Sequence, residues 1–289
     1  MSFRVSAPPV VASPCDGRND AHTIPARRGE LPPVKEWKLR FFTAYTLRHI
    51  QKHFHAVRLS RAGHQPEQPH APTVVYLNHA SWWDPLVSVV LMTKLFPQQR
   101  AYAPIEARQL ERYGILQNLG LFGVEPGTSR GALRFLRTAR NVLHSPGAML
   151  WITPQGRFVD PRERPVMFED GLAHVAMRER DAVFVPLAIE MPFWKDSRPE
   201  MLVRFGTPVT AHELPDPAAG VEAHSRLLAA RLTETQEQLA REAIAQNPAA
   251  FRTLLGGSAG VGGVYDRWRA LKARWRGETF VAEHGGAAA

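Results

Sequence analysis

Thr73-Val74-Val75-Tyr76-Leu77-Asn78-His79-Ala80-Ser81-Trp82-Trp83-Asp84-Pro85 runs from an apolar, β-branched segment into a polar turn and ends on a proline. The first five residues read as a buried strand. The apolar run that follows, Leu86 to Met92, reads as a helix. His79 and Asp84, with four residues between them, then occupy a strand-to-helix turn, where α/β proteins place chemistry. An imidazole that titrates near neutral pH, with a carboxylate to orient it and stabilise its protonated form, is a general-base pair. A purely structural reading uses the same residues. Asp84 would be a helix N-cap before Pro85, Ser81-x-x-Asp84 a capping box with Asp in place of Glu, and His79 a hydrogen-bonded turn residue.

Working outward, apolar runs and helical patterns alternate. Strands are expected at 73–77, 101–105, 121–125, 148–152, 183–189 and 201–206, and helices at 85–95, 129–144, 170–179 and 219–246. Residues 106–119 read as helical or irregular and 153–169 as a charged loop. Strands alternating with helices imply an α/β fold, a largely parallel sheet covered on both faces. An N-terminal amphipathic helix and a C-terminal helical extension flank it. Residues 1–33, rich in Pro, Ala and small polar residues, read as a disordered tail. Residues 34–58 form an aromatic, basic, amphipathic helix, 70–210 the core, and 211–289 the helical extension with a basic tail. The 34–58 helix reads either as an interfacial anchor or as a helix packed on the core. Within the tail, Gly256 to Gly263 is flexible by composition. Tyr265 to Arg276, cationic with Trp268 and Trp275, reads as a second membrane contact or a packed segment.

Three stretches in order carry a family resemblance. His79-x-x-x-x-Asp84 after a short strand resembles the first motif of the glycerolipid acyltransferases, the 1-acylglycerol-3-phosphate acyltransferase family. Trp151-Ile152-Thr153-Pro154-Gln155-Gly156-Arg157 resembles their third, an apolar strand ending in Phe-Pro-Glu-Gly-Thr-Arg. Phe184-Val185-Pro186-Leu187-Ala188-Ile189 resembles their fourth, Val-Pro-Val-Ala-Ile. The resemblance covers roughly residues 70 to 210. It implies transfer of a fatty acyl group from acyl-CoA or acyl-ACP to a hydroxyl of a lyso-lipid, with His79 as general base and Asp84 as its partner. Gly156, Arg157, Gln155 and Arg130 are then expected to bind substrate, and Trp82 and Trp83 to line the acyl channel. Two departures concern the acceptor. Pro126 stands where the family's second motif has an Arg, with Arg130 as its substitute. Gln155 replaces the usual Glu, and Arg157 lies one position early.

Composition sets the remaining expectations. Formal net charge is +9, and 30 of the 36 basic residues are Arg, whose guanidinium forks suit phosphate esters and anionic headgroups. No zinc-finger spacing, aromatic RNA-binding signature or nucleic-acid-type basic run accompanies that charge, so no nucleic-acid partner is expected. An anionic membrane surface is expected instead. No apolar run approaches the ~20 residues of a membrane span, so the expected location is peripheral, on the cytoplasmic face of the inner membrane. The single Cys15 excludes an internal disulfide framework. His49, His53 and His55 have metal-like spacing but no acidic or Cys partner nearby. No metal and no cofactor beyond the acyl-CoA or acyl-ACP donor is expected. Two other readings keep the fold: a non-catalytic lipid-binding protein, and a hydrolase in which the same pair activates water. No Gly-x-Ser-x-Gly elbow supports a serine hydrolase.

Overall fold

The computed structural model describes residues 30–67 and 69–257. The expected disordered tail up to residue 29, most of the 256–263 segment and the Tyr265–Arg276 segment lie outside them.

The chain forms α1 (Glu36–His53), β1 (Ala56–Ser60), β2 (Thr73–Leu77), α2 (Asp84–Leu95), β3 (Arg100–Glu106), α3 (Ala107–Arg112) and a 3-10 turn (Gly114–Leu116). Then come β4 (Leu121–Val124), α4 (Ser129–Leu143), β5 (Ala148–Ile152), α5 (Gly171–Arg178), β6 (Val183–Glu190), β7 (Met201–Phe205), α6 (Gly220–Ala245) and β8 (Phe251–Gly256). All eight strands join one sheet in the order β4-β3-β5-β2-β6-β7-β1-β8. The first five in that order run parallel. β7 runs antiparallel to β6, and β1 lies parallel to β7. The fold class is therefore the α/β, largely parallel sheet that the alternation implied.

Strand alternation divides the core into two layers. Val74, Tyr76, Leu150, Ile152 and Phe184 face α4, α5 and α6, meeting Phe135, Val142, Leu172, Val175, Leu228 and Leu232. Val75, Leu77, Met149, Trp151, Val185 and Leu187 face α1 and α2, meeting Ile50, Val87, Val90 and Leu91. Strands buried on both faces read as unbroken apolar runs, which is why β2, β5 and β6 were plain in the sequence.

Two expectations need correction at the flanks. The helix expected over 34–58 ends at His53, and residues 56–60 form β1, buried along its whole length. Arg58 fitted the spacing of an amphipathic helix. Here it is only 8% exposed, and its charge is met by buried Glu200. The stretch at 251–256, which carried no strand expectation, is β8, antiparallel to β1. The sheet thus extends beyond 70–210, and α6 and β8 belong to the same packed body as the expected core.

Candidate active site

Parallel strands end together, so the turns after β2, β4, β5 and β6 share one edge of the sheet. The turn after β2 is pinned first by Asn78. Its buried amide donates to the Ile189 carbonyl (3.0 Å) and accepts from the Ile189 N–H (2.8 Å), tying the turn to β6.

Asp84 is fully buried at the start of α2. It does not cap the helix, as the structural reading of the sequence had it; its carboxylate turns back to the preceding loop. Oδ2 accepts from the N–H groups of Ala80 (2.7 Å) and Ser81 (2.9 Å) and faces His79 Nδ1 at 3.0 Å. Oδ1 accepts from the Ser81 hydroxyl at 3.3 Å. Charge-assisted bonds of this kind fix a carboxylate firmly. A carboxylate against Nδ1 selects the tautomer with its proton there and leaves the Nε2 lone pair for a substrate proton. The His79 side chain is 18% exposed, enough for a reactant to reach it.

The loop after β5 grips His79 through its backbone. Gln155 Oε1 accepts from His79 N–H at 2.8 Å, and Val159 N–H donates to His79 C=O at 2.8 Å. The Phe158 ring lies 4.4 Å from the imidazole, centroid to centroid. Gln155 was expected to bind substrate. It is instead 7% exposed and spent on the His79 peptide, so its role is positional. Gly156 was expected to let a ligand approach the backbone. A Cβ there would meet Glu169 Cγ at 2.9 Å, and φ is +66°, so tight turn geometry and the Glu169 side chain require glycine at this position.

Arg157 is well exposed at the same edge and meets Glu163 at 3.3 Å. Its neighbour Arg162 forks onto Asp160, and those hydrogen bonds hold the Asp160 carboxyl far below the usual carboxylate range. Arg130 is exposed in the first turn of α4, which follows β4 at this edge. The two tryptophans separate. Trp82 is 56% exposed and stands beside Phe158 and Tyr113 (5.7 and 6.1 Å between centroids), as an outer wall of the site. Trp83 points the other way, edge-on to Phe54 and stacked on His49, and packs α1 against the turn. That removes it from the expected channel. His49 and His53 belong to this aromatic stack, and His55 pairs with Glu200 at 2.6 Å. Among the described residues, no group of three or more potential ligands gathers to hold a metal.

Sequence reasoning passed over Asn78, Phe158 and Val159. Asn78 had a signal, a polar residue at the end of an otherwise apolar strand, where burial demands partners. Val159 acts through its backbone and had none.

Residues 49–190 match the model of the Acyltransferase family. The chain carries an acyltransferase domain. The matched span includes His79, Asp84, Arg130, Gln155, Gly156 and Arg157. No curated protein sequence matches the chain. The crystal structure of the 1-acyl-sn-glycerophosphate (LPA) acyltransferase PlsC from Thermotoga maritima is similar over 70% of this chain and 79% of that one, at 16% identity and a TM-score of 0.48. No described helix of the acyltransferase chain is long and apolar enough to cross a membrane.

Proposed function

We propose that this acyltransferase domain moves a fatty acyl group from a thioester, acyl-CoA or acyl-ACP, to a hydroxyl of a lyso-lipid at a membrane surface. The observation that carries the reading is the 3.0 Å contact of His79 Nδ1 with a fully buried Asp84 carboxylate. With Nδ1 held, Nε2 takes the proton of the acceptor hydroxyl as its oxygen attacks the thioester carbonyl. Collapse of the tetrahedral intermediate breaks the C–S bond, and the imidazolium returns the proton to the leaving thiolate. Asp84 stabilises the imidazolium between those steps, as a buried Asp does in a hydrolase triad. The acceptor oxygen is the nucleophile, so no nucleophilic side chain is required.

The membrane part rests on α1. Ile50 is buried and Leu47 packs beside it, whereas Trp37 (69%), Phe41 (60%) and Tyr45 (49%) are exposed four residues apart on the outer face. Arg48 and Lys52 extend that face, around a shallow hollow of about 400 Å³ lined by Phe41, Tyr45, Arg48 and Lys52. Aromatic rings beside cations suit the headgroup boundary of an anionic bilayer. With it we propose peripheral attachment, at the cytoplasmic face of the inner membrane.

The acceptor is the least conventional part. Arg157 and Arg130 are exposed cations at the catalytic edge, suited to an anionic headgroup. Pro126 stands where the family resemblance places an Arg; Gln155 does not bear on the acceptor, because its side-chain oxygen holds the His79 N–H. We therefore infer an acceptor other than lysophosphatidate. The test is product analysis with a panel of lyso-lipids and a labelled acyl thioester. New ester on another lyso-lipid supports the reading, and released fatty acid would make the domain a hydrolase. No product would make it a lipid-binding protein. Efficient turnover of lysophosphatidate would overturn the acceptor assignment. Arg157→Ala should raise KM more than it lowers kcat.

A further inference from the structure

The outer face of α4 bears an arginine stripe of which the acceptor site proposed above uses only the first member, Arg130. Arg130, Arg137 and Arg140 are exposed, Arg134 is half-exposed, and Leu133 stands among them 64% exposed. At spacings of three and four residues, all but Arg134 share one line along the helix, with Arg134 beside it. The opposite line carries Phe135, Thr138, Ala139 and Val142, buried against the sheet. Ser129–Leu143 contains no acidic residue. Among the described residues no carboxylate pairs with Arg130, Arg134 or Arg137, and Arg140 reaches Glu179 only at 3.9 Å. Like charges at this spacing destabilise a helix, and Arg130 sits at its positive end. Local stability therefore does not account for the stripe.

We propose that this face docks a small acidic carrier protein that presents the acyl thioester to His79. The inference rests on the thioester-dependent acyl transfer proposed above and adds the partner and its landing surface. Placement supports it. α4 starts at the catalytic edge, immediately after β4, and packs over β4 and β5. β4 lies three strands from β2, about 14 Å at the usual strand spacing, a gap that a flexible thioester-bearing arm spans. The stripe runs from Arg130 to Arg140, eleven residues and about 15 Å of helix from end to end, and is convex. That suits the charged helix of a protein better than the phosphates of free CoA, which call for a pocket. An exposed Leu ringed by Arg supplies the apolar contact and the charge complementarity of a transient protein interface. A bilayer is disfavoured because α4 lies in the opposite helical layer from α1. A membrane engaged by the aromatic face of α1 leaves α4 turned toward water.

The experiment compares wild type with Arg134→Glu/Arg137→Glu/Arg140→Glu, and with Leu133→Gln as a variant that keeps every charge. Initial rates are measured with the same acyl group on acyl carrier protein and on CoA. Binding of labelled holo-carrier is read separately by fluorescence anisotropy at low and moderate salt. The triple variant should lose at least tenfold in kcat/KM with the carrier donor, mainly through KM, and stay within twofold with the CoA donor. Anisotropy should show carrier binding by wild type that weakens with salt, and its loss in the triple variant. Leu133→Gln should weaken it as well. Vesicle binding should be unchanged. Wild type that binds no carrier, variants that bind it normally, or a loss of vesicle binding in place of carrier binding would each overturn the proposal. If neither donor supports transfer by wild type, the reading of the reaction fails, while the anisotropy still decides whether the face docks a carrier.

Discussion

Asp84 shows how much work one buried side chain can do. It holds the His79 ring, two backbone N–H groups and a hydroxyl at once, so the turn and the imidazole are oriented by the same carboxylate. His79→Ala should cut acyl transfer by at least about 100-fold, the low end of a positioned general base. Asp84→Asn should cost activity without unfolding the turn, because the amide oxygen can still accept from the backbone but cannot support an imidazolium. Near-wild-type transfer by His79→Ala would end the mechanism. Gln155 allows a finer test. Gln155→Leu strips the acceptor from the His79 N–H, at about 1–3 kcal/mol for a buried donor. It should lower kcat with little change in KM, and Gln155→Glu, which can still accept, should recover most of the loss. A Leu variant whose defect lies in KM alone would return Gln155 to acceptor binding. The His-x-x-x-x-Asp pair was legible because both residues lie on one short turn. The partner of Gln155 was not, because it is a peptide 76 residues away.

At the scale of elements, the readings that succeeded rest on strands buried on both faces and helices with a single apolar face. Where a strand carried a charge, as β1 carries Arg58, the pattern imitated an amphipathic helix. The neutralising partner, Glu200, lies far along the chain and leaves no local trace. α1 illustrates the converse. Its aromatic residues formed one group in the sequence, yet Ile50 and Leu47 serve the core while Trp37, Phe41 and Tyr45 remain exposed. The core reading holds for one face of α1, and the exposed outer face is the one proposed above for the membrane. Trp37→Ser/Phe41→Ser should reduce binding to anionic vesicles at least tenfold and leave thermal stability nearly unchanged, because both side chains already face outward. High salt should weaken binding of the intact chain, since the contribution of Arg48 and Lys52 is screened. Undiminished vesicle binding by the double variant would remove α1 from the membrane contact.

For the whole molecule, the question is what holds the far side of the sheet to the parallel strands that carry the site. Arg58 on β1 donates to Glu200, just before β7, at 2.9 Å and to Thr253 on β8 at 3.0 Å, so one guanidinium joins three strands. His55 adds a second donor to Glu200. Burial alone pushes the Glu200 carboxyl up, but the hydrogen bonds from His55 and Arg58 outweigh it, and the net shift is downward. The hydrogen bond to Glu200 raises the His55 imidazole, against the opposing effect of burial. A raised His contributes stability that is complete below its ordinary value of 6.5 and fades as pH climbs through its higher folded value. A lowered Glu contributes stability that is complete above 4.5 and fades as pH falls through its lower folded value. The cluster is thus most stabilising between those two values. Denaturant titrations from pH 5 to 8.5 should show wild type losing more stability above pH 6.5 than His55→Gln, whose curve lacks that titration. The difference should be modest, because the His55 side chain is 36% exposed and solvent screens the pair. Glu200→Gln should cost more, about 3 kcal/mol at pH 6, because it leaves Arg58 buried without its counter-charge. Parallel curves for wild type and His55→Gln would show that the imidazole does not titrate against Glu200. A neutral Glu200→Gln would show that backbone pairing and apolar contacts hold the sheet's far side without the ion pair.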